Sequence, residues 1–176
     1  MGCGASPAPD PAGSGAALTG TAPADCLNAV WKAQATPNKA FDRAHDQADG
    51  GSISCATGTS ASAFAATLAA IRAAAASGDK AKLAAQVGLP LLYIDSARKR
   101  RKLDRDQLAS DAAEVFSPAV LALLRRIDLG DLAVVPHEGA FADLGAVWLV
   151  AGRTGGQPRI VTIDRQALAE AAKNHS

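Results

Sequence analysis

The chain has 176 residues, 48% of them apolar but only 4% aromatic, and its 18 lysines and arginines nearly balance 17 aspartates and glutamates for a formal net charge of +1. That balance excludes a global field drawing the chain to nucleic acid, and no apolar run reaches the roughly 20 residues a transmembrane helix needs. The length predicts one domain with a tail, and the roughly 150 residues beyond the opening run are enough to bury a core. Alanine dominates the apolar fraction and is a strong helix former but a weak core filler. The larger apolar residues therefore mark the core, and they lie mostly after Phe64.

The chain opens MGCGASPAPDPAGSGAALTG. Residues 1–24 hold four prolines and almost no large side chains, too little to offset the entropy of ordering them. They predict a disordered tether with a reach of about 26 Å. Cys3 follows a small residue and precedes this polar run, which resembles the end of a bacterial lipobox. The basic and apolar regions of the signal peptide are not in this chain, and the expectation is that they lie upstream. The same start also fits M-G-x-x-x-[ST], with Gly2 as myristate acceptor and Ser6 in place. A chance cysteine in a disordered start is the third reading.

Residues 25–60 form a second unit, poor in large apolar residues. Three cysteines is an odd count, and Cys26 and Cys55 stand 29 positions apart within this unit. A Cys26–Cys55 disulfide is expected, contributing roughly 3.5 kcal/mol on the loop-entropy model. It implies an oxidising compartment, leaves Cys3 as the odd thiol, and weakens the myristoylation reading, which belongs to a cytoplasm. Leu27, Val30 and Trp31 fall at i, i+3, i+4, so a short helix capped by Asp25 is predicted. The sequence DGGSISC supplies a Gly50-Gly51 turn and a short extended piece.

The third unit, 61–176, carries the sharpest signals. Phe64, Leu68, Ile71 and Ala75 make one helical stripe ended by Gly78. Asp79 starts a second helix, with Leu83 and Val87 on one side, that Gly88 and Pro90 stop. LLYID reads as a strand and KRRKL as its return. Asp104 with Gln107 is a capping box; Leu108, Ala112, Val115 and Phe116 form the apolar face that follows. Ser117-Pro118 is an N-cap and first helical residue opening AVLALLRRI. LAVVP, GAVWLVAG and RIVTID read as three strands, the middle one covered on both faces. Their short connections predict antiparallel pairing. RQALAEAAKNHS closes the chain as a frayed helix. Helices gathered on one antiparallel sheet make an α+β fold.

Phe64, Gly78-Asp79, Pro90-Leu91, Phe116, Gly139, Gly145 and Trp148 stand in an order that resembles small periplasmic or lipoprotein domains of the nuclear-transport-factor-2-like (SnoaL-like, cystatin-like) superfamily, over residues 64–165. The resemblance implies a cone: a curved antiparallel sheet wrapped around helices, with a pocket at the open end. It also implies a homodimer as one assembly, since sheets of this superfamily often pair. The superfamily hosts enzymes, binding domains and dimerisation modules, so the fold does not give the function.

His45 lies among Asp42, Asp46 and Asp49, but the spacing matches no named metal loop, and a solvated polar helix is expected. Arg98, Lys99, Arg100, Arg101 and Lys102 form a basic run without aromatic interleaving. It reads as a solvated hairpin tip that discourages edge pairing rather than a nucleic-acid contact. On the resemblance, Tyr93, His137, Trp148 and Asp164 are candidate binding residues lining the cone. No Ser-His-Asp order, phosphate loop or zinc spacing occurs, so no catalytic residue, metal or cofactor is assigned. The expected function is an envelope-anchored protein at the periplasmic face of a membrane. It would be held by lipid on Cys3 and would bind a small ligand or an envelope protein without catalysis. The alternatives are a small enzyme using His137 and an aspartate as acid–base pair in the cone, and an inhibitor or immunity-type protein acting through residues 26–55.

Overall fold

A computed structural model describes residues 22–174; Cys3 and most of the tether lie outside them. Helix α1 (Pro23–Ala33) opens with Pro23 at its first turn, where the missing N–H has no helical partner to lose. Asp25 therefore sits inside the first turn instead of capping it. Leu27, Val30 and Trp31 form the buried face, as their spacing predicts. Helix α2 (Lys39–His45) is capped by Asn38, whose side chain accepts from the Phe41 N–H. Strands β1 (Gln47–Ala48) and β2 (Gly51–Ser52) make a two-residue hairpin through Gly50. The short extended piece expected in DGGSISC is β2, but it ends at Ser52, and a helix, α3 (Ile53–Thr57), takes over because the Ser52 hydroxyl caps it on the Cys55 N–H. The Cys26–Cys55 disulfide ties α1 to α3 with Cα atoms 5.1 Å apart.

Helix α4 (Ala61–Ser77) begins at the Ser60 cap and ends at Gly78 in the left-handed region. Asp79 caps α5 (Lys80–Ala84) through the Ala81 and Lys82 N–H groups. This helix stops before Val87, which sequence reading placed on it. Val87 instead starts β3 (Val87–Ile94) and pairs with Ile160; sheet pairing overrides helix periodicity there. β4 (Arg100–Leu103) returns as expected, and the Asp104–Gln107 capping box opens α6 (Arg105–Ser110). Then come α7 (Ala112–Val115) and α8 (Pro118–Arg126). Pro118 holds the first position of α8 as predicted, but the Ser117 hydroxyl makes no cap bond and lies buried without a partner.

Four strands follow: β5 (Ala133–Val135), β6 (Gly139–Ala142), β7 (Val147–Ala151) and β8 (Pro158–Asp164). Helix α9 (Arg165–Asn174) closes the described chain. Strand β6 was not predicted, since Gly139-Ala140-Phe141-Ala142 has little intrinsic strand preference; its pairing with β5 and β7 on either side makes it one. The six strands run in the order β4-β3-β8-β7-β6-β5. Every neighbouring pair is antiparallel except β3 with β8, which is parallel. The expected all-antiparallel sheet is corrected at that junction. The chain between β3 and β8 includes helices α6 to α8, long enough for the crossover a parallel pair requires.

The architecture is α+β, a curved sheet packed on helices. One sheet face carries Leu91, Tyr93, Val147, Leu149, Ile160 and Ile163, all completely buried. It shares a single core with Phe64, Leu68 and Ile71 of α4 and Leu123 and Leu124 of α8. Residues 25–60 join it: Ile53 and Ala56 are core members, and the Val134 N–H donates to the Asp49 carbonyl at 2.7 Å. Strand β7 is covered on one face only; Trp148 and Val150 on the other stay half-buried.

Candidate functional site

The four residues selected from the sequence do not converge. Tyr93 lies on the inner face, fully buried. The Arg101 guanidinium stands 5.3 Å from its ring centre and bonds Asp111 at 2.7 Å and Glu114 at 3.0 Å. Burial opposes the Arg101 charge, but the Asp111 hydrogen bond and the Glu114 carboxylate outweigh it and hold the guanidinium above its ordinary value. Arg165 and Glu114 approach the Tyr93 hydroxyl without completing a hydrogen bond. Burial, the largest influence, raises the phenol above its ordinary pKa.

Asp164 ends β8 and caps α9, accepting from the Gln166 and Ala167 N–H groups at 2.9 and 3.0 Å. Trp148 lies on the outer sheet face, paired with Thr162, its ring 4.9 Å from that of Phe141. Trp148 and Asp164 do share a shallow outer hollow of about 310 Å³ with Glu138 and Arg100. His137 is exposed in the β5–β6 turn at φ +65°. Its main-chain N–H donates to the Ala56 carbonyl, and no described carboxylate bonds its ring. An acid–base pair of His137 with an aspartate inside the sheet is therefore not assembled. The interior expected to hold it is filled by Phe64, Leu91 and Leu149.

The acidic cluster around His45 is not a solvated helix face. Asp42 is completely buried, accepting from the Trp31 indole at 2.7 Å and the Ser62 N–H at 2.9 Å. Asp46, also buried, accepts from the Ser52 hydroxyl at 2.6 Å and from the Ser54 N–H and hydroxyl at 2.8 Å each. These carboxylates are structural, and no group of metal-ligating side chains occurs among the described residues. His45 itself is exposed and stacks on Phe41. The basic run behaves as expected at the tip: Asp95 holds the turn by accepting from the Ala97 and Lys99 N–H groups. Arg100 and Lys102 are exposed on the edge strand β4.

A further concave region among the described residues has no counterpart in the sequence reading. A groove of about 770 Å³ runs between α5, the start of β3, α6 and Arg159 of β8. Its apolar lining includes Ala81, Ala84, Val87, Leu89, Leu108 and Ala112; its charged lining is Lys80, Arg105 and Arg159. A second hollow of about 590 Å³ shares Gly88, Leu89 and Arg159 and adds Arg153. Among the described residues, no carboxylate lines either. Leu89 is 43% exposed, one of two large apolar side chains so exposed among the described residues. The pairing register of β3 with β8 shifts between Val87 and Leu92, and Leu89 falls within that irregular stretch. The Arg159 guanidinium donates to the Ala85 carbonyl at the end of α5 and is fixed across the groove. The sequence signal was Gly88-Leu89-Pro90, an apolar residue between two that disrupt a strand. No protein-family model, curated protein or solved structure matches this chain.

Proposed function

We propose that this is a binding protein without catalytic activity, held at the periplasmic face of a bacterial membrane by lipid on Cys3, taking a small ligand in the Leu89 groove. The observation that carries the reading is the contrast between two concave regions. The inner sheet face is filled with buried apolar side chains, whereas the groove beside Leu89 is open, apolar at its base and charged at its rim. Its volume falls in the range of about 300–1,000 Å³ typical of small-molecule sites. The Cys26–Cys55 disulfide supports an oxidising compartment. The curved sheet over α4 and α8 supports a nuclear-transport-factor-2-like domain, and its half-buried outer face around Trp148 leaves a homodimer as one assembly. The filled interior and solitary His137 count against the enzyme reading.

The test is a backbone-amide NMR titration of the full chain with an organic-solvent extract of bacterial envelopes. The reading expects shifts confined to residues 80–89, 105–112 and 159. Shifts centred on His137, Trp148 and Asp164, or none, overturn it.

A further inference from the structure

We infer that the groove takes an anionic amphiphile, with an apolar chain against Leu89 and a carboxylate or phosphate headgroup against Lys80, Arg105 and Arg159. This rests on the proposed binding role and names the ligand class. The chain as a whole is close to neutral, yet the groove and its adjoining hollow carry Lys80, Arg105, Arg153 and Arg159 with no acidic residue in the described lining. None of the four enters the ion pairs formed among the described residues. Within the described lining, no carboxylate offsets their charge where they face the groove. Arg159 spends one N–H on the Ala85 carbonyl, which orients the guanidinium and leaves donors of its five for a planar anion.

The base of the groove sets the other half of the ligand. Ala81, Ala84 and Ala112 are small, so the facing of α5 and the α6–α7 region leaves a trough between them, with Leu89 its most exposed large apolar side chain. A trough fits a flexible chain better than a flat ring system. No aromatic side chain lines it among the described residues, so they offer none of the base stacking that single-stranded nucleic acid uses. The lining is concave, which favours a single molecule over the flat surface of a bilayer.

The experiment is isothermal titration of the full chain with decanoate, decyl phosphate, decyltrimethylammonium and inorganic phosphate, each below its micellar concentration. Two variants accompany it: Lys80→Glu/Arg105→Glu, which reverses the rim, and Ala109→Trp, which fills the groove from an exposed position on α6. Circular dichroism and Tm confirm that each folds, and Leu89→Ser replaces either that does not. Decanoate or decyl phosphate is expected to bind one per chain, at least tenfold more tightly than decyltrimethylammonium or inorganic phosphate. Both variants are expected to lose at least tenfold. A preference between the two anions tells a fatty-acid source from a phospholipid one. If decyltrimethylammonium binds as tightly as decanoate and Ala109→Trp abolishes both, the anionic assignment fails while the groove stands. If no amphiphile binds, or Ala109→Trp changes nothing, both the assignment and the groove fail.

Discussion

The Trp31 indole N–H donates to the Asp42 carboxylate at 2.7 Å inside the protein, joining α1 to α2. The second Asp42 oxygen takes the Ser62 N–H at the start of α4, so one buried carboxylate fastens three helices. Lys39 and Arg43 lie 5.5 and 5.0 Å from the Trp31 ring centre and add cation–π attraction from the solvent side. Asp42→Ala leaves two buried donors unsatisfied and is expected to lower stability by about 3 kcal/mol. Asp42→Asn, which keeps one acceptor, is expected to lose less. Urea unfolding measures both; equal losses in the two variants would contradict this role.

The disulfide acts on the same region. Replacing both Cys26 and Cys55 by serine is expected to remove roughly 3.5 kcal/mol and to make stability indifferent to dithiothreitol. The parent protein is expected to drop to the same midpoint once reduced. A parent whose midpoint does not move on reduction would contradict the bridge.

Tyr93 gives a pH signature. Burial holds its phenol above the ordinary value, which is about 10. Below pH 10 both native and unfolded chains keep the proton, and the contribution is intact. Between about 10 and the raised native value the unfolded chain has lost the proton and the native chain retains it. The unfolded state then binds fewer protons, so stability falls as pH rises through that window. Tyr93→Phe removes the effect, and because the hydroxyl lacks a completed hydrogen bond the variant is expected to match or exceed the parent at pH 7, by up to about 1 kcal/mol. Guanidinium midpoints at pH 7 and above pH 10 test this; a variant destabilised at pH 7 would mean the hydroxyl is bonded.

Gly50 sits at φ +89°, and a Cβ there would fall 2.2 Å from the Val134 carbonyl oxygen. The β1–β2 hairpin docks on β5 through that close approach, with the Val134 N–H bonded to Asp49. Gly50→Ala is expected to cost about 2 kcal/mol or more through backbone strain and overlap. Hydrogen exchange at the Val134 amide reads it directly: faster exchange is expected, and an unchanged rate would contradict the docking.

The sequence carried the helix stripes, the Asp104–Gln107 box, the β3–β4 hairpin and the cysteine pairing, because each depends on neighbours a few residues apart or on a count. It could not carry what long-range pairing decides. Val87 left its helix for Ile160, and β6 became a strand only between β5 and β7. Asp42 and Asp46 read as solvent-facing because their partners, Trp31 and the Ser52–Ser54 turn, are set by tertiary packing. The groove escaped for the same reason. Lys80, Leu89, Arg105 and Arg159 are scattered over 80 positions, and only the fold makes them neighbours. Tyr93, Trp148 and Asp164 were correctly placed on strands or strand ends, but alternation along the sheet sends Tyr93 and Trp148 to opposite faces.

The most direct test of the account is a crystal structure of the full chain grown with decanoate. The alkyl chain is expected to lie against Leu89 and Ala84, with the carboxylate within hydrogen-bond distance of at least one of Lys80, Arg105 and Arg159. Decanoate seated in the outer hollow at Trp148 and Asp164, or within the sheet beside Tyr93 with the groove empty, would contradict it.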